Sequence, residues 1–549
     1  MRPASGWWPL FPAAALVIAA IVSLPILAVV SNLFTGSGVV WAGLIDRILS
    51  VYVVNTLVLL AGVAVVAGTI GTGTAWLVTM CEFPGRRYME WLLLLPFAAP
   101  AYVIAYAYTD FLEFAGPLQT FLRDLTGWGR HDYWFPEIRS TPGAIAMLSL
   151  VLYPYVYLLA RNAFLSQSVQ ALGVARSLGL GPWSAFARVA VPMARPGIAA
   201  GLALALMETL ADFGTVEFFG VQTFTTGIYR TWFIRGSPEG AAQLANILLI
   251  FALAVILLER GSRGRARYVT GTGRFQPLPR FVLGGIRAWT AFLATLLPVL
   301  LGFVVPVSLL LELSFASGDS MPFAAFMTYA GNSVLVAGLA AVLAVAAALT
   351  LGYAARLAAS PLTIGAARIS SMGYAIPGSV IAVGILVPLT WFDNRLDALM
   401  EAAFGVSTGL LLTGSIAALL LAYVVRFLAV AYNSTDAGLA RVTPAMDGAS
   451  RTLGHSPFST LTEIHAPLLR GSLLTAGLLV FVDVLKELPA TLLVRPFNFE
   501  TLATRTWRLA ADERLAEAST AALAIVLAGV LPVILLSGRI ARSRPGTRP

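Results

Sequence analysis

ALGVARSLGLGPWSAFARVAVPMARPGIAAG, residues 171–201, and DGASRTLGHSPFSTLTEIHAPLLRGSLLTAG, residues 447–477, carry one pattern twice. A shift of 275 residues lays Leu178-Gly179 on Leu453-Gly454, Pro192 on Pro467 and Arg195 on Arg470. The same shift pairs Glu208 with Asp483, Asp212 with Glu487, Thr226 with Thr501, Arg230 with Arg505 and Trp232 with Trp507. Upstream, a shift of 277 aligns Asn55 with Asn332, Pro84 with Pro361 and Pro100 with Pro377. Self-similarity sustained at one offset marks a duplicated unit. Each quoted stretch reads as a short helix, a glycine turn, a second amphipathic helix and a proline opening the next helix. The glycine suits a helix end that needs positive φ, and the proline suits a first turn whose N–H has no partner.

The unit that is duplicated belongs in lipid. Of 549 residues, 58% are hydrophobic and only 11% charged, against roughly 25% charged in soluble domains. The mean hydropathy is +0.82. Many apolar runs reach the roughly 20 residues a helix needs to cross a ~30 Å hydrocarbon core, and in an open architecture only a helix pairs every backbone group there. Twelve spans are predicted, near 10–33, 52–80, 91–110, 142–160, 197–219, 240–258, 287–313, 332–355, 369–392, 405–432, 472–494 and 517–538. The fold class is an all-α polytopic membrane protein of about 12 helices. Its segments are a first span with an outer loop (1–51), repeat 1 (52–258), a basic linker (259–286) and repeat 2 (287–549). With six spans per copy, each copy begins and ends on the same side, so the repeats are parallel about an axis along the membrane normal.

A net charge of +9 could signal nucleic acid, but the basic residues follow topology. With the N-terminus inside, 22 of the 36 fall on the inner side, 11 on the outer side, and Arg287, Arg426 and Lys486 in or beside spans. That is the positive-inside bias, and no nucleic-acid partner is needed. The linker, with Arg260, Arg263, Arg265, Arg267, Arg274 and Arg280 among glycines and prolines, reads as a solvated tether at an anionic leaflet. A single cysteine, Cys81, excludes an intrachain disulfide, and no Cys/His spacing suggests zinc. His131, His455 and His465 are scattered and suggest no metal site. The stretch from Trp7 to Phe34 reads as an uncleaved span.

The twin stretches lie on the inner side, between the fourth and fifth spans of each copy. They resemble the cytoplasmic coupling loop of ABC importer permeases: EAA, three residues, Gly, nine residues, Ile, any residue, Leu, Pro. The spacing is complete twice, through Ala175, Gly179, Val189 and Pro192, and through Ser450, Gly454, Ile464 and Pro467. The resemblance implies that each loop docks on an ATPase subunit. The acidic position of the motif is Gly173 in one copy and Gly448 in the other, and Asp447 is placed to substitute in the second. An inert interfacial hairpin is the plainer alternative. The only lysine, Lys486, lies in a span, so no Gly-Lys-Ser/Thr phosphate loop exists. ATP is therefore expected on partner subunits, two ATPases being implied, with no cofactor on this chain.

After each loop come METLADFGTVEFFGVQTFTTGIYRTWF (207–233) and VFVDVLKELPATLLVRPFNFETLATRTW (480–507), followed by DERLAEAST (512–520). These are similar to the fused permeases of periplasmic ferric-iron importers, and less so to thiamine, sulfate/molybdate or polyamine permeases. The likeness spans about 52–540. It implies a multi-pass protein of the bacterial inner membrane that works by alternating access with a periplasmic substrate-binding protein.

The residues allow an independent reading. Glu208 and Asp212 are four apart, hence on one helix face, and Asp483 and Glu487 repeat the geometry. Carboxylates within spans usually face a bundle interior or a water-filled path, and hard cations prefer oxygen ligands. These four form a candidate transient metal pathway; alternatively they hold structure or gate, with Lys486 neutralising Asp483 or Glu487. Arg230, Trp232, Arg505 and Trp507 are either interface anchors or a two-sided docking surface for the binding protein, to which the outer loop 111–141 could add. An ion-coupled secondary transporter would explain the acids but not the twin loops. An intramembrane enzyme is disfavoured, since no H-E-x-x-H spacing appears.

Overall fold

The computed structural model describes residues 10–33, 48–165, 182–263, 280–316, 321–440 and 442–542. Among them are 11 helices long and apolar enough to cross a membrane, or 12 if a pair bent by 89°, Arg86–Ala98 with Ala101–Thr126, is one span. Every predicted span has a counterpart, and the fold is all-α. The chief differences are breaks inside spans.

The third span breaks where Pro100 follows Ala99. A proline pushes the residue before it out of the helical region, and Ala99 is extended (φ −98°, ψ 133°) between a 3-10 turn, Leu95–Ala98, and the helix Ala101–Leu112. The second repeat does the same at Pro377: Ile376 is extended (φ −97°, ψ 125°) and span 9 begins only at Gly378. Span 9 then runs to Phe404, well past the predicted end at 392. Asp393 and Asp397 look like a polar terminus, yet both use the returning loop as a partner. Asp397 accepts from Ser407 Oγ, Thr408 N and Gly409 N, and Asp393 from Leu412 N and Thr413 N. Span 10 consequently starts at Ile416 rather than 405.

The chain divides into two compact units that cut across the repeats. One holds span 1 with Gly227–Leu249 and Pro322–Thr504; the other holds spans 2 to 5 with Ile250–Met321 and span 12. In the first unit, span 1 lies so close to span 9 that Gly384 has no room for a Cβ beside the Pro25 carbonyl, and Asn246 donates to the Val29 carbonyl (2.8 Å). In the second unit, Gly529 of span 12 approaches the Ala98 carbonyl as closely. Small residues permit such approaches where lipid removes the hydrophobic drive between helices. Thus the sequence division 52–258 and 287–549 describes the duplication, while each compact unit draws helices from both copies.

Most of the basic linker, 264–279, lies outside the described residues. Its end is fixed in the second unit: Phe281–Val282 pair in parallel with Cys81–Glu82, and Arg280 donates to Glu82 (3.0 Å). Burial there pushes the Cys81 thiol up to about 11. Burial also raises Glu82, but Arg86 and Arg280 more than offset it and hold the carboxyl below its ordinary range.

Candidate functional site

The second coupling loop is fully described. Helix Pro444–Thr452 ends in a left-handed glycine, Gly454 at φ +86°, as its place in the motif requires. The turn closes with His455 N donating to Ser450 O and Gly454 N to Arg451 O (both 3.1 Å), the paired bonds of a Schellman ending. From Pro457 the chain is helical again and enters span 11 without a stop. A π-helical turn, Thr460–His465, which carries Ile464, absorbs the missing N–H of Pro467 before helix Ala466–Leu485. The proline therefore does not open a separate helix as the sequence suggested; loop and span are one rod.

That rod is braced by buried and half-buried polar groups. Asp447 accepts from Arg356 Nε (2.8 Å) and from His465 Nε2 (2.8 Å). An ionised carboxylate can only accept, which places a proton on Nε2. Arg356 also caps the carbonyls of Leu439 and Val442, Tyr353 donates to the Pro457 carbonyl (2.7 Å), and Ser450 Oγ meets Thr460 Oγ1 (2.7 Å). Asp447 is thus held by two partners inside the chain. Ser450 is likewise buried, whereas Leu453 and Phe458 are exposed.

In the first loop Ala175 and Gly179 lie outside the described residues. Val189 sits in the matching π turn, Phe186–Ala190, and Pro192 in the first turn of Val191–Ala211. The seat is aromatic instead of polar. Trp76, at the position equivalent to Tyr353, packs against Phe164, Phe186 and Phe281 with centroids 5.7, 5.1 and 6.2 Å away. Where repeat 2 has Arg356 and His465, repeat 1 has Thr79 and Ala190. Charge in this region lies elsewhere, on Arg161 bonded to Glu90 and on Arg86 between Glu82 and Glu90.

The mid-span acids do not share the face that a continuous helix would give them. Span 5 stops at Ala211, and Asp212 is extended (φ −65°, ψ 134°). Its carboxylate accepts from Thr215 N, Thr215 Oγ1 and Val216 N (3.1, 3.0 and 3.1 Å), capping a new helix, Gly214–Phe218. Span 11 likewise ends at Leu485, and Glu487 accepts from Ala490 N, Thr491 N and Thr491 Oγ1 (2.9, 3.0 and 2.6 Å) at the head of Pro489–Val494. These positions are equivalent under the 275-residue shift, so each repeat breaks its span at the same acid.

Their surroundings differ. Glu487 faces Arg426 at 3.9 Å, the two side chains 2% and 7% exposed, and Gly378 leaves space for the pair where a Cβ would collide. Asp483 pairs with Lys486 (2.9 Å). Glu208, half-buried, places a like charge near Asp212. Arg426 was legible as a lone mid-span cation that must find an anion; Tyr353 and Arg356 carried no such signal.

On the outer side, the hydrogen bonds correct the register. Thr223 N donates to Thr226 Oγ1 (3.0 Å) and Thr501 N to Thr504 Oγ1 (2.9 Å). Asn55 reaches the Gln222 carbonyl (2.9 Å) and Asn332 the Glu500 carbonyl (3.0 Å). The offset here is 278, three residues having entered the second copy ahead of Thr501. Arg230 then corresponds to Arg508 and Trp232 to Ala510, so the apparent match with Arg505 and Trp507 is coincidental. Trp507 packs on Phe213 (5.7 Å), beside Asp212; Arg230, Trp232 and Arg505 are half-buried.

Comparison with known proteins agrees with this architecture. Residues 67–260 match the family described as binding-protein-dependent transport system inner membrane component. Over 489 residues, 88% of each chain, the sequence is 27% identical to the Fe(3+)-transport system permease protein FbpB 2 of Haemophilus influenzae. Over 202 residues, 35% of this chain and 85% of the relative, it is 30% identical to the molybdenum transport system permease protein ModB of Escherichia coli K12. It is also 32% identical over 161 residues, 29% of this chain and 53% of the relative, to the sulfate transport system permease protein CysW of the same organism. Apolar spans interrupted at capped acids, and loops continuous with the spans they lead into, suit a multi-pass transport subunit, and the chain belongs to the binding-protein-dependent transport system inner membrane components.

Proposed function

We propose that the chain is the permease of an ATP-driven importer that passes ferric iron from periplasm to cytoplasm by alternating access. The observation that carries the substrate is the full-length likeness to a protein named for Fe(3+) transport, across 88% of both chains. The molybdenum and sulfate relatives match about one repeat's length of this chain.

Two separate ATPase subunits dock on the two loops, and ATP stays on those partners. The rod joining loop to span supports this: a push on the loop is delivered to the broken span without a flexible joint. A periplasmic binding protein delivers the cation to the outer side, where Arg230, Trp232, Arg505 and Trp507 contribute to docking.

The test is uptake into proteoliposomes holding the chain with its ATPase and binding protein. Ferric uptake should require both ATP and the binding protein and be unaffected by excess molybdate or sulfate. Uptake driven by a proton or sodium gradient without the ATPase would replace this reading with ion-coupled transport.

A further inference from the structure

Tyr102 and Tyr106 stand one turn apart on Ala101–Leu112, on one face of the helix. They are 4% and 2% exposed, with ring centroids 5.7 Å apart. The Tyr106 ring packs edge-on against Phe218 at 4.5 Å, and Phe218 belongs to the short helix that Asp212 caps. The Tyr106 hydroxyl lies in electrostatic reach of Tyr102 and Asp212 and, among the described residues, has no hydrogen-bond partner. Buried hydroxyls are almost always bonded, so an orphan of this kind asks for a reason.

Asp212 supplies the other half. Three donors satisfy its cap, leaving acceptor capacity on Oδ2, which takes only the Thr215 hydroxyl. No basic side chain pairs with it among the described residues, and its charged neighbour is Glu208. The second repeat offers nothing equivalent: Ser379 and Val383 stand where the tyrosines would be, and Glu487 faces Arg426. Among the described residues, repeat 1 brings a phenol, Tyr106, to a capping carboxylate, Asp212, with which no basic side chain pairs.

We propose that Asp212, Tyr106 and Tyr102, with Glu208 one turn away, form a transit site for a hard trivalent cation, carried by repeat 1 alone. This rests on the ferric reading above. Carboxylate and phenolate oxygens are hard donors suited to such an ion. As each phenol oxygen bonds to the metal its O–H breaks and the proton passes to water, with no change in oxidation state. In the present conformation both phenols are buried while the two carboxylates are partly exposed, and full coordination belongs to a step of the access cycle.

The test is the double variant Tyr102→Phe/Tyr106→Phe in the complete importer in proteoliposomes, which keeps both rings and their packing. Ferric uptake should fall by about tenfold or more, as when a metal site loses a supporting group, while binding-protein-stimulated ATP hydrolysis stays at the wild-type rate. Ferric uptake at the wild-type rate would overturn the site, and so would joint loss of uptake and stimulated hydrolysis, which marks a packing role. If the wild-type importer carries no ferric ion but another substrate, the ferric reading itself fails and takes the site with it.

Discussion

The two repeats share a backbone plan and oppose each other in where they place charge. Both break the third span of the unit before a proline, both run loop into span through a π turn, and both interrupt the next span at a capping acid. Repeat 2 puts its polar network under the coupling loop, on Arg356, Asp447 and His465, and neutralises its mid-span acid with Arg426. Repeat 1 seats its loop on aromatic rings around Trp76 and, among the described residues, pairs no cation with Asp212. Backbone breaks are what duplication preserved; electrostatics is where the halves specialised. Under the proposed transit site, one half is a charge-balanced scaffold and the other handles charge in transit.

The largest effect that sharpens this contrast is expected at Arg426. Arg426→Met strands Glu487 in a buried site, and losing one partner of such a pair costs about 3–5 kcal/mol. The unfolding midpoint in detergent should drop steeply and recover when Glu487→Gln is added; no recovery would mean that Arg426 serves other partners. Comparable in size, Trp76→Ala should cost about 3–5 kcal/mol by opening a cavity under the first loop. Asp447→Ala under the second loop should cost less, about 1–3 kcal/mol, from the groups it leaves unsatisfied. If the order were reversed, the aromatic seat would not be the stiffer one. Smaller again, Asp212→Ala removes a helix cap worth about 1 kcal/mol, whereas Glu487→Ala should exceed it because Arg426 loses a buried carboxylate.

The smallest effect is at the linker strap. Glu82 is held below the ordinary carboxyl value of 4.5 in the folded state, so its contribution is present above that value and is lost as pH falls through the depressed one. The side chain is 44% exposed, which limits the effect to under about 1 kcal/mol. Glu82→Gln should flatten the acid limb of the stability profile by that amount. An unchanged limb would show that the strap adds nothing.

Much of this was legible in sequence. Span count follows from apolar runs, and the proline breaks follow from rules of local geometry. The duplication shows in Gly454, Pro467 and the paired acids. What failed to show were events that depend on partners distant in the chain. The spacing of Glu208 and Asp212 suggested one helix face, but Asp212 gains more by capping Thr215 and Val216 than by continuing the helix. The match of Thr226, Arg230 and Trp232 with Thr501, Arg505 and Trp507 was a register error, since three residues entered ahead of Thr501 and identities alone could not reveal them. Asp447 resembled a substitute motif acid because nothing near it in sequence points to Arg356. Tyr102 and Tyr106 carry no signal in the sequence, because their place beside the capped break depends on the fold.

The central claim, that repeat 1 carries the transit chemistry while repeat 2 carries the scaffold, is tested most directly by setting Asp212→Asn beside Glu487→Gln in the complete importer. Both substitutions keep a side-chain acceptor for the cap, and ferric uptake and unfolding midpoint are read on the same preparations. Asp212→Asn should abolish uptake at an unchanged midpoint, and Glu487→Gln should lower the midpoint while leaving uptake by the folded fraction intact. Full uptake by Asp212→Asn, or equal loss of uptake in the two variants, would contradict it.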